Sequence, residues 1–132
     1  MQIVKPIDIE DALRTDIGAF LGQGYTVCAQ PAPDSLSANT VCVTCAGGST
    51  QGIVANDYGI VVDCWCATIA DAVELANTVH GYLFSLPLQS TSGAVYTTVN
   101  GNNPYINPDP RRPLLPRVTF TANVGARGIP II

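Results

Sequence analysis

The stretch Tyr58 to Ala67, YGIVVDCWCA, constrains this chain more than any other. Ile60, Val62, Cys64 and Cys66 alternate with Val61, Asp63 and Trp65, and the run is rich in β-branched and aromatic side chains, so it reads as a strand. Both of its faces are largely apolar, which is the mark of a central strand. Thr68 then takes the N-cap position with Asp71 three residues on, and Ile69, Ala72, Val73, Ala76, Val79, His80 and Leu83 recur at helical spacing. A buried strand feeding a helix that ends before Pro87 is the seed of a layered fold.

The rest of the chain supplies partners for that unit. Residues 6 to 21 predict a first helix: Pro6 suits its first turn, Asp8, Glu10 and Asp11 favour its N-terminus, and Ile9, Leu13, Ile17, Phe20 and Leu21 form one stripe. Gly22 and Gly24 stop it. Tyr25 to Ala29 is a short β-like run, QPAPDSLSAN a loop, and Val41 to Ala46 another strand. GGSTQG reads as a turn or bulge, with Gly52 to Ala55 continuing the pairing beyond it. Residues 88 to 100 contain the strand AVYTTVN, and GNNPYINPDPRRP is a Pro-rich loop, long enough to suggest partner binding. From Arg117 to Ala126, Val118, Phe120, Ala122 and Val124 alternate with Thr119, Thr121 and Asn123, as in a half-exposed antiparallel strand. The predicted fold is one α+β domain over residues 1–132, a single antiparallel or mixed β-sheet with two helices on one face, in the order α-β-β-β-α-β-β.

A chain of 132 residues that is 47% apolar can bury a core and is not of the disordered class. Charged residues make up 12% of it, about half the usual share, so partners are expected to cover part of its uncharged surface. The net charge of −4, with Lys5 as the sole lysine, argues against a sequence-independent grip on nucleic-acid phosphates. Nine of the ten acids lie in the first 75 residues, whereas Arg111, Arg112, Arg117 and Arg127 fall in the last quarter. Such asymmetry suits head-to-tail association, and these four arginines are the candidate subunit interface; an uneven solvated surface is the plainer alternative. The N-terminus turns acidic where a signal peptide would be apolar, and no apolar run of about 18 residues is present, so cytosolic synthesis and no membrane partner are expected.

Few residues point to chemistry. Cys42-Val-Thr-Cys45 has the CxxC spacing of zinc and redox sites, but on a strand those two positions face opposite sides. Cys64 and Cys66 share a face yet supply two ligands at most, so no metal or cofactor is expected. An odd count of five cysteines does not make a disulfide framework. His80, the single histidine, would have to serve as base to any Ser or Cys nucleophile, oriented by Asp63 or Asp71, and no nucleophile motif accompanies it. GGS lacks the pattern of a phosphate loop. No catalytic residue is assigned.

Taken together, the short N-terminal helix, the strand ending in Val61-Val-Asp-Cys-Trp-Cys66, the Ala-rich helix Ile69 to Phe84, the Pro/Arg loop and the closing Arg117-Val-Thr-Phe-Thr-Ala-Asn-Val resemble the tail terminator and tail-completion proteins of long-tailed bacteriophages. The resemblance spans about Ile3 to Arg127. It implies a virion protein assembled in the host cytoplasm, a ring subunit, typically in a hexamer, that caps the tail tube, ends its polymerisation and presents the head-tail joining surface. Its partners would be copies of itself, the tube protein and the connector proteins, with genomic DNA passing unbound through an acidic lumen. Three alternatives remain open: a head-tail adaptor or head-closure protein, a small enzyme using Cys42, Cys45 or His80, and a monomeric ligand-binding domain.

Overall fold

Local signals set the two helices. In the computed structural model, which describes residues 3–29, 35–51, 55–86 and 90–131, helix α1 spans Ile9–Leu21 and is capped by Asp8, whose side chain accepts the Asp11 N–H at 3.2 Å. Gly22 closes it at φ 75°, a conformation that glycine adopts without strain. Helix α2 spans Ile69–Ser85 and is capped by the Thr68 hydroxyl, which accepts the Asp71 N–H at 3.1 Å. The first helix thus starts later than the expected range of 6 to 21, at the first residue of its apolar stripe, because Asp8 serves as the cap.

The strands are β1 (Val4–Lys5), β2 (Thr26–Ala29), β3 (Thr40–Gln51), β4 (Ala55–Trp65), β5 (Tyr96–Gly101), β6 (Tyr105–Ile106), β7 (Arg117–Arg127) and β8 (Ile129–Pro130). The main sheet has the order β2-β3-β4-β7-β5, with β6 beside β5 along the outer edge of β7. β4 is central, as its two apolar faces require, and pairs along its whole length with β7, from Ala55↔Arg127 to Trp65↔Arg117. The sheet is mixed: β2 runs parallel to β3 in the register Thr26↔Thr40, because the connection between them is long enough to return the chain to the same end. Both helices cover one face, where Leu13, Ile17, Val41, Val43, Val62, Val79, Leu83 and Phe120 are completely buried. The expected α-β-β-β-α-β-β order is present as α1, β2, β3, β4, α2, β5 and β7, with the short β1, β6 and β8 added.

Of the two readings of GGSTQG, turn or bulge, the structure shows the bulge and not the turn: β3 continues beside β4 to Gln51, with a register shift between Cys45 and Gly48. Gly48, at φ 155°, lies so close to β4 that a Cβ would sit 1.9 Å from the Asp57 carbonyl oxygen, so this bulge requires glycine. The loop 100–113 is not free of regular structure, since β6 inserts two ladder positions, Tyr105↔Thr119 and Ile106↔Val118. The pairing expected over Gly52–Val54, and part of the QPAPDSLSAN loop, lie outside the described residues.

The chain ends meet in a small antiparallel clasp, Val4↔Pro130 and Lys5↔Ile129, with the Ile131 N–H reaching the Ile3 carbonyl at 2.8 Å. A second long-range tie fixes α1 to the approach of β5. Asp16, fully buried, accepts the N–H groups of Thr91 (2.7 Å) and Ser92 (2.6 Å), the Ser92 hydroxyl (2.8 Å) and the Tyr96 hydroxyl (2.5 Å). Burial first, then the Asp16 carboxylate, pushes the Tyr96 phenol above its ordinary value. Removing one carboxylate strands four donors. Asp16→Ala is therefore expected to lower unfolding stability by roughly 3 kcal/mol, and Asp16→Asn by less, in urea titrations followed by tryptophan fluorescence. A loss below about 0.5 kcal/mol would show that solvent replaces the carboxylate easily.

Candidate functional site

The face of the sheet opposite the helices is polar along most of its length, carrying Thr44, Asp57, Asp63, Thr119, Thr121 and Asn123. Thr119 Oγ1 donates to Asp63 Oδ1 at 2.6 Å across β4 and β7. Trp65 is the exception. It lies on this helix-free side and is nonetheless 2% exposed, so something other than a helix covers it.

The cover is the segment 107–116. Asp109, 6% exposed, accepts the Trp65 indole N–H at 3.2 Å and Arg112 Nη1 at 2.9 Å on Oδ2, while Oδ1 accepts the Arg111 backbone N–H at 3.0 Å. Arg117 Nη1 stands 4.0 Å from the same carboxylate, and Arg117 Nε donates to the Asn107 carbonyl at 2.8 Å. The two guanidinium carbons lie 5.7 Å (Arg112) and 5.9 Å (Arg117) from the centre of the Trp65 ring, within cation–π reach. Burial alone would raise the Asp109 carboxyl, but hydrogen bonds from Arg112, the Arg111 amide and Trp65, with the charge of Arg117, outweigh it and hold the carboxyl below its usual range. Two arginines, one carboxylate and one indole form a single interlocked cluster.

The four arginines of the candidate interface therefore separate. Arg112 and Arg117, with side chains 11% and 19% exposed, are built into the Trp65 cover. Arg111 is exposed on the same loop beside Leu114, which is 90% exposed and projects from the surface. Arg127 lies at the far end of β7, roughly 34 Å away by strand length, lining a groove with Asp8, Asp11, Val95 and Ile129. Three of the four thus gather at one end of the sheet. Nothing in the sequence ties Asp109 to Trp65, although the Asp109–Arg112 spacing is that of a local ion pair.

The residues weighed for catalysis are kept apart by the sheet. Cys42 and Asp63 are cross-strand partners on the helix-free side, whereas His80 lies on the helix side against Phe84 (4.5 Å) and Phe120 (5.2 Å). Cys42 and Cys45 face opposite ways, as strand alternation requires. The Cys45 thiol is turned to the Gly47 carbonyl at 3.6 Å, and its amide donates to Glu10 Oε2 at 2.7 Å. Cys64 and Cys66 are buried beneath the helices, and burial pushes both thiols up. Among the described residues no three His, Cys, Asp or Glu side chains converge as a metal site.

No family model and no curated protein matches the sequence. Among solved structures the chain is similar to one from the virion of a native gene transfer agent particle, with a TM-score of 0.56 at 15% identity, over 92% of this chain and 98% of that one. At that identity the likeness establishes a shared fold.

Trp65 is the single tryptophan, so its emission reports directly on the cover. Because Asp109 is held low, the stability it supplies is complete above the ordinary carboxyl range, near pH 4, and is lost as pH falls through the lower folded value. The wild type should therefore show a red shift of Trp65 emission that begins below about pH 4. Asp109→Ala, which removes the carboxylate shared by Trp65, Arg112 and the Arg111 amide, should shift the emission already at neutral pH and cost roughly 3 kcal/mol on urea unfolding. Wild-type emission in that variant would mean that the prolines alone hold the segment down.

Proposed function

We propose that this protein is a structural subunit of a phage-like virion, a tail terminator that assembles with copies of itself, by shape and not by chemistry, into a ring on the end of the tail tube. The observation that carries this reading is the shared fold with a virion chain over nearly the full length of both. Two features of the surface support it. Among the described residues, β2 has no strand partner on its outer side and β5 and β6 have none on theirs, so the sheet ends in two different edges. Unlike edges on opposite sides of one sheet favour heterologous contacts, which close into rings. Large apolar side chains also stand in solvent on the Trp65 end, with Leu114 90%, Ile106 54% and Ile69 51% exposed. A chain with little surface charge and such anchors suits burial against neighbours.

In this reading the ring is a hexamer at the head-tail junction. One face meets the tube protein, the other meets the connector proteins, and DNA traverses the lumen without specific binding. No reaction is involved. Arg111 and Arg127, at opposite ends of the subunit, are the interface arginines that remain on the surface, while Arg112 and Arg117 act by holding the loop in shape.

Electron microscopy of the purified protein over a concentration series, alone and with tail tubes, tests the proposal. Closed rings or caps at tube ends are expected. Binding to isolated connectors with no effect on tubes would select the adaptor role, and monomers indifferent to both would overturn the structural reading. Leu114→Asp, at a side chain already in solvent, should leave urea stability within about 0.5 kcal/mol of wild type and weaken self-association roughly tenfold in sedimentation velocity. Unchanged association would remove the Trp65 end from the subunit contact.

A further inference from the structure

The parallel pairing of β2 with β3 sets Cys28 directly beside Cys42. Neighbouring strands lie about 4.8 Å apart, inside the Cα separation of about 4.4–6.8 Å across which a disulfide can close. Val27, Val41 and Val43 turn toward the helices, so by strand alternation both thiols leave the sheet on the opposite side. They differ in access. Cys42 is 2% exposed, whereas Cys28 is half-buried on the edge strand, where an incoming reagent can reach it.

The surroundings divide the two roles. Cys28 is brought down to about 7, chiefly by a hydrogen bond from the Cys42 thiol and, against the opposing effect of burial, also by the charge of Arg112. Cys42 is pushed up by that same contact, by burial and by the nearby Asp63 carboxylate. One thiol is thus the ready nucleophile and its neighbour holds its proton longer. Neither takes part in the assembly reading above.

We propose that Cys28 and Cys42 form a dithiol site that exchanges with low-molecular-weight disulfides such as oxidised glutathione, with Cys28 attacking and Cys42 resolving. The Cys28 thiolate attacks one sulfur of the disulfide; a mixed S–S bond forms as the original one breaks, and glutathione leaves as thiolate and takes a proton from water. Cys42 then gives its proton to water and attacks the Cys28 sulfur, expelling the second glutathione. Two protein thiols are oxidised and one glutathione disulfide is reduced to two glutathiones. β2 has four residues and, among the described strands, pairs with β3 alone, so it can shift toward its neighbour to close the bond. The imposed geometry leaves the product easily reduced, and the site reversible.

The test uses the full native chain, oxidised glutathione at pH 7, an acid quench, alkylation, and mass spectrometry of the intact protein and its chymotryptic peptides. Cys28 is expected to be the first thiol to react, roughly tenfold faster than the buried Cys42, its readiness as a thiolate being partly offset by the lower nucleophilicity of an acidic thiol. A linked peptide pair containing Cys28 and Cys42 should follow and disappear with dithiothreitol. Cys45→Ser should keep the link, Cys42→Ser should stop at a glutathione adduct on Cys28, and Cys28→Ser should abolish both. First reaction at Cys45, or an adduct on Cys28 that never closes in the wild type, overturns the proposal. So does a native chain that stays inert while all five thiols react in urea.

Discussion

Trp65 must be kept from water on the side of the sheet that carries no helix, and much of the architecture follows from that requirement. The strand that presents it is central, so its ring emerges between flanking strands at one end of a largely polar surface. A hydrophobic lid there would need a partner for the indole N–H; Asp109 supplies that partner, and its charge in turn calls for Arg112 and Arg117. A buried carboxylate is tolerated only when its lone pairs are filled, and here an indole, a guanidinium and a backbone amide fill them. The segment 107–116, so rich in proline, is thereby held against the sheet by a handful of directional contacts.

Asp16 performs the equivalent service on the helix side, where it joins α1 to residues 91–96. The two aspartates solve opposite problems. Asp109 is surrounded by cations and acts as the centre of a charged cluster, whereas Asp16 is met by neutral donors, amides and hydroxyls, that converge on it. Together they anchor both irregular segments that flank the β5–β6 edge.

The layered fold was legible because its strongest signals are local. Thr68 and Asp71 announce the start of α2, the alternation in Tyr58–Ala67 announces a two-sided strand, and the alternation in Arg117–Ala126 announces the strand that pairs with it. What escaped sequence reading was set by distant partners. The parallel direction of β2 depends on the path of the chain between Ala29 and Thr40, on which no side-chain period bears. Glycines at 47 and 48 fit a turn or a bulge equally until β4 is beside them and selects the bulge. The arginines were recognisable as a group, but whether each faced solvent or an internal carboxylate depended on Asp109 and Trp65 meeting across 44 residues. Arg112 and Arg117 thus hold this cluster together within the subunit.

The clasp between β1 and β8 brings the first and last described strands into one antiparallel pair, with Ile3 and Ile131 leaving it on the same side. Tension applied through the two ends would accordingly load this pair as a zipper, one hydrogen bond after another, and not in shear. The main sheet would feel little force until the clasp had opened. Mechanically, the protein carries a weak link in series with a stiff body, and the link sits at the end of the molecule away from Trp65.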